Sequence, residues 1–174
     1  MILGMTTFTF VHVVISLVGI LSGMVVVLGL LAGKGLNGWT ALFLLTTLAT
    51  TVTGFFFPYH VVTPAIVIGI LSLLVLALAI FARYRRHLAG AWRRTYVISS
   101  MIALYFNVFV LVVQLFEKVP TLHKLAPTGS GPVFAITQVS VMVIFIVLGI
   151  FAVKGFRDQR VPEIDRTSRP SRAA

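Results

Sequence analysis

The fold this sequence predicts is all-α: an integral membrane bundle of five transmembrane helices, N-terminus outside and C-terminus cytoplasmic. Three observations carry that expectation. Of 174 residues, 59% are hydrophobic and 10% charged, whereas a soluble domain has roughly a quarter of its residues charged. The mean hydropathy is +1.06. The apolar residues run continuously over stretches near the roughly 20 residues a membrane-crossing helix requires, which excludes the alternating pattern of a transmembrane barrel. Such a chain cannot cover a water-facing surface, so an ordinary soluble enzyme, a disordered protein and a nucleic-acid module are all excluded.

The spans are bounded by recognisable breaks. Span 1 covers residues 8–32 and ends at Gly33, Gly35, Asn37 and Gly38, a short turn. Its length and the lack of any Lys or Arg before Lys34 argue against a cleaved signal peptide, which has a basic start and a short apolar region. Span 2 covers 39–57 and is rich in threonine; these hydroxyls are expected to bond the carbonyls of the preceding turn. Pro58 and Pro64 bracket the next turn, and Pro64 suits the first turn of span 3, at 61–82, where a missing N–H costs nothing. A basic connector, 83–94, leads to span 4 at 96–116. Residues 118–132 hold three prolines with Gly129 and Gly131 and read as an irregular loop. Span 5 covers 133–153. The tail 157–174 is Arg-rich, with two prolines, and is expected to lack fixed structure.

Charge sets the orientation. Lys34, Arg83, Arg85, Arg86, Arg93, Arg94, Lys154 and the tail arginines fall on one face and only Lys118 and Lys124 on the other, twelve against two. Basic loops stay cytoplasmic. The basic face therefore meets anionic lipid headgroups, at about 1 kcal/mol per side chain, and the sequence pI of 11.2 calls for no nucleic acid. Trp39, Tyr84, Trp92 and Tyr96 fall near this boundary, as interfacial aromatics do. No cysteine is present, which excludes disulfides, thiolate metal sites and cysteine nucleophiles.

Within the spans, polar and small residues mark the inward faces. His12, Ser16, Gly19 and Gly23 lie at i, i+4, i+7 and i+11, one face of a helix, and small residues let membrane helices approach closely. Ser100, Ala103, Asn107 and Gln114 form a second stripe, with Asn107 near mid-membrane. The helical rise places His12, Thr53, Gln114 and Gln138 within about 4–7 Å of the outer ends of their spans, with Tyr59, His60, Glu117 and His123 just above. The plain reading is structural: His12 bonds a neighbouring helix, and Gln114 and Gln138 pair. Ionisable groups in a membrane are also functional candidates. Haem would need His12 opposite His60. Copper or zinc would draw on His12, His60, His123 and Glu117, although no ligand pair has helical spacing. A quinone beside His12 is compatible with the composition. A proton or solute path would want charges at mid-depth, and the spans hold none. No phosphate loop, HExxH pair or nucleophile–base set occurs.

Leu36-Asn37-Gly38-Trp39-Thr40, Thr53-Gly54-Phe55-Phe56-Phe57-Pro58 and the stretch from Tyr105 to Lys118 are similar to small five-span membrane proteins of unassigned function common in alphaproteobacteria. The resemblance covers Leu36 through Lys118 and implies a bacterial inner membrane and no particular activity. Three expectations for function follow, the first two being a non-enzymatic accessory bundle joining a larger membrane complex and a haem-, metal- or quinone-binding protein using the outer histidines. A small transporter is the third.

Overall fold

A computed structural model of the chain describes residues 6–57, 64–126 and 131–156. Every regular element among them is helical. The elements are α1 (Thr7–Leu31), α2 (Asn37–Gly54), α3 (Pro64–Ile80) with a π-helical turn (Phe81–Arg85) at its end, α4 (Trp92–Lys118), α5 (Pro120–Leu125) and α6 (Pro132–Gly155).

Each boundary has a local cause. The Thr6 hydroxyl accepts from the Thr9 N–H and caps α1. Gly33, at φ +71°, takes the left-handed position just past the end of α1, and Lys34 N–H reaches back to the Gly29 carbonyl at 2.7 Å. His87, Leu88 and Gly90 all have positive φ and reverse the chain between α3 and α4. Proline occupies the first turn of α5 and of α6. The α5 helix corrects the expectation of an irregular loop over 118–132: Pro120, preset for a helix start, nucleates a short turn. His60 and the 157–174 tail lie outside the described residues.

Helix α4 is the hub and touches every other described helix. The core is centred on Leu30, Phe43, Leu76, Tyr96, Val97 and Leu104. Helices α1 and α2 share the most extensive contact, and glycine explains it. A Cβ built at Gly23 would fall 2.6 Å from Leu104 Cδ1 and 2.9 Å from the Phe43 ring, so α1, α2 and α4 close here with no room for a methyl group. One at Gly155 would lie 2.6 Å from the Leu31 carbonyl oxygen, a contact between the backbones of α6 and α1.

Four helices are long and apolar enough to cross a membrane: Thr7–Leu31, Ala65–Arg85, Trp92–Lys118 and Pro132–Gly155, as a multi-pass membrane protein requires. The second expected span is the exception. Helix α2 has 18 residues, about 27 Å at 1.5 Å each, and six of them are threonine, which dilutes its apolar character.

One end of the bundle gathers Asn37, Arg83, Arg93 and Phe156. Arg83 Nη2 donates to Asn37 Oδ1 at 2.6 Å, its guanidinium lies 5.1 Å from the Tyr96 ring centroid, and Arg93 reaches the Phe156 carbonyl. Tyr96 departs from the interfacial role expected of it. It is fully buried, its hydroxyl 3.3 Å from Thr40 Oγ1, because α4 begins a turn before the apolar run and carries Tyr96 inward.

Candidate functional site: a cavity at the end opposite the arginines

The other end is open. A cavity of about 550 Å³ lies between α1, α2, α3 and α4. Its walls are mainly aliphatic and aromatic, among them Leu17, Phe55, Ile66, Phe106 and Leu111. The polar groups on it come from all four helices: Thr9, His12 and Ser16 from α1, Thr50 and Thr51 from α2, Ser72 from α3, and Asn107, Gln114, Glu117 and Lys118 from α4. Glu117 and Lys118 are exposed at the rim, whereas His12, Ser16, Asn107 and Gln114 are half-buried. The floor is the Gly23, Phe43 and Leu104 contact, just below Ile20, so the cavity ends inside the bundle rather than crossing it.

His12 is held from two sides. Its Nδ1 is 2.8 Å from Thr53 Oγ1 on α2. The Phe57 ring meets the imidazole edge-on with centroids 5.1 Å apart. Deeper in the wall, Asn107 Nδ2 donates to Thr47 Oγ1 at 3.0 Å, which pairs an amide that would otherwise be costly in hydrocarbon. Thr50 Oγ1 is buried with no hydrogen-bond partner, on a residue that lines the cavity. Thr46, Thr51 and Thr53 do bond carbonyls of their preceding turn.

The expected outer cluster divides. His12, Gln114 and Glu117 line the cavity together. His123 sits on α5, away from the lining, and His60 is outside the described residues. The expected Gln114–Gln138 pair does not form. Gln138 Nε2 donates to the Phe109 carbonyl at 3.2 Å, and its Oε1 is buried without a partner. The cause is helical phase: five residues at 100° each put Gln114 about 140° around α4 from Phe109, so Gln114 faces the cavity while Gln138 meets the side of α4 that packs on α6. Gly19 and Gly23 lie against α2, with Thr46 Oγ1 3.2 Å from a Cβ built at Gly19.

Thr9, Thr50, Thr51 and Ser72 escape a search for ionisable and amide groups. Ser72 carried a signal as the one polar side chain in α3, and Thr50 and Thr51 did so only as members of a threonine-rich span. No group of three metal-ligating side chains of the His, Cys, Asp or Glu type occurs among the described residues. With its mainly apolar walls and polar groups from four helices, the cavity can enclose an apolar body and offer it hydrogen bonds. Neither a family model, nor a curated protein, nor a solved structure matches this chain.

Proposed function

We propose that the chain is a five-span integral protein of the bacterial inner membrane, N-terminus outside, that binds a lipophilic small molecule in the outer cavity. The cavity carries the reading. Binding sites for small molecules enclose about 300–1,000 Å³ with mostly apolar walls and a few placed polar groups, and this one has that size and lining. An accessory bundle that only joins a larger complex needs no such space, since small residues would close it, as they do at Gly23. A transporter would in addition need a second state in which the floor opens, since alternating access exposes a site to one side at a time.

The fifth span is supported by the faces of α2. Past Trp39, its exposed residues are Ala41, Leu42, Leu45 and Val52, while every threonine is buried or half-buried. Its apolar side faces outward and its polar side inward, as a lipid-facing helix requires.

The test is to purify the protein in nanodiscs, extract it with organic solvent and analyse the extract by mass spectrometry. A lipophile retained in stoichiometric amount is expected, and Ser16→Phe, which fills the cavity from a half-buried position on α1, should lose it while the fold survives. Equal retention by both proteins would refute binding in this cavity.

A further inference from the structure

The hydrogen-bond network around Thr53 favours one tautomer of the His12 ring. Thr53 Oγ1 lies 2.7 Å from the Ala49 carbonyl and 3.1 Å from the Thr50 carbonyl. Both can only accept, so the single hydroxyl proton of Thr53 is committed to its own helix. Towards His12, 2.8 Å away, the oxygen can only accept. With the hydroxyl proton so assigned, neutral His12 carries its own proton on Nδ1 and Nε2 is a bare acceptor. No hydrogen-bond partner meets Nε2 among the described residues, and the ring lines the cavity.

We infer that the cavity selects a lipophile bearing a hydroxyl, which donates to Nε2 of His12, over its carbonyl counterpart. This rests on the binding reading above and deepens it. A carbonyl oxygen at the same place would meet lone pair with lone pair. A site with a fixed polar group discriminates strongly against an analogue that cannot pair with it. A phenolic hydroxyl, as in a hydroquinone, and an aliphatic alcohol share the required chemistry. Thr53 acts as a positioning residue, through the tautomer it imposes.

Decylhydroquinone, decylbenzoquinone, decanol and decylbenzene are titrated into the full-length protein in nanodiscs. The expected result is hydroquinone binding about tenfold tighter than quinone, the size of one well-placed buried hydrogen bond. That gap should vanish in His12→Phe, which keeps a ring against Phe57, and narrow in Thr53→Val with decylbenzene binding unchanged. Decanol binding as well as hydroquinone, and depending on His12, identifies an aliphatic alcohol as the source; weak decanol binding identifies a phenol. Quinone and hydroquinone binding equally overturns the hydroxyl preference but leaves the cavity reading standing. If decylbenzene and the others all fail to bind, both fall. Nitrogen-15 spectra of labelled histidine give a ligand-free check. The His12 signals, identified by their loss in His12→Phe, should show an unprotonated Nε2, and a protonated Nε2 overturns the inference.

Discussion

Gly23→Ala is the sharpest probe of how the bundle closes beneath the cavity. The added methyl carbon would sit 2.6 Å from Leu104 Cδ1 and 2.9 Å from two carbons of the Phe43 ring. Ordinary carbon contacts are about 3.5–4.0 Å, so both neighbours must retreat by about 1 Å. Neither has slack, since each is only 1% exposed. Overpacking of this kind costs about 1–3 kcal/mol. Alanine recovers about 0.5–1 kcal/mol over glycine in a helix interior, leaving a net loss of roughly 0–2.5 kcal/mol. Three other glycines calibrate the result. At Gly155 the opposing atom is a backbone oxygen, which cannot swing away, so Gly155→Ala should lose more. At Gly19 the nearest atom is Thr46 Oγ1 at 3.2 Å, and the loss should be small. At Gly38 nothing lies within 4 Å, so Gly38→Ala should be neutral or stabilising. Reversible unfolding in mixed micelles of detergent and dodecyl sulfate measures the series. If Gly23→Ala is as stable as Gly38→Ala, the close approach of α1, α2 and α4 is refuted, and with it the floor of the cavity.

Three further outcomes follow from other contacts. The Asn107–Thr47 bond should show a coupling of about 0.6 kcal/mol in a double-mutant cycle of Asn107→Leu with Thr47→Val, the usual size between membrane helices; zero coupling would remove it. Arg83→Ala should cost about 2 kcal/mol, from a hydrogen bond to a charged group and a ring contact. Arg83→Lys should restore less than half, because an ammonium cannot both reach Asn37 and lie flat on Tyr96; full rescue would show that charge alone suffices. The chain lacks cysteine, so single cysteines at Lys34 and Lys118 can be labelled without background. An impermeant maleimide added outside intact cells should reach Lys118→Cys and not Lys34→Cys, and the reverse pattern would invert the topology.

How much was legible in the sequence depended on what each residue's neighbours could change. The long apolar helices could be read because continuous hydrophobicity is a property of one segment alone. The inward face of α1 followed from residue spacing, and His12 does meet α2 from it. The cavity is different. It depends on the relative rotation of four helices, and no single helix encodes that. The Gln114–Gln138 pairing failed for this reason: depth along a span is set by counting residues, but partner choice is set by phase around it. Tyr96 was misplaced because an aromatic near a charge boundary is consistent with either an interface or a core, and only Thr40 across the gap decides between them.

Helix α2 shows why an average can mislead where a face does not. Its six threonines lower its mean apolar character below that of the other long helices. Yet a threonine whose hydroxyl returns to the preceding turn presents little polarity to its surroundings, and those of α2 turn away from the outward face. What they provide inside is selective. Thr47 and Thr53 meet the side chains of Asn107 and His12, whereas Thr50 is left with a free hydroxyl oxygen at the cavity. A helix of leucine in this place would be more uniformly apolar, but it would leave His12 without its hydrogen-bond partner on α2. On the binding reading, the polarity of α2 is therefore the source of the cavity's specificity, and replacing Thr53 should change what is bound before it changes whether the bundle folds.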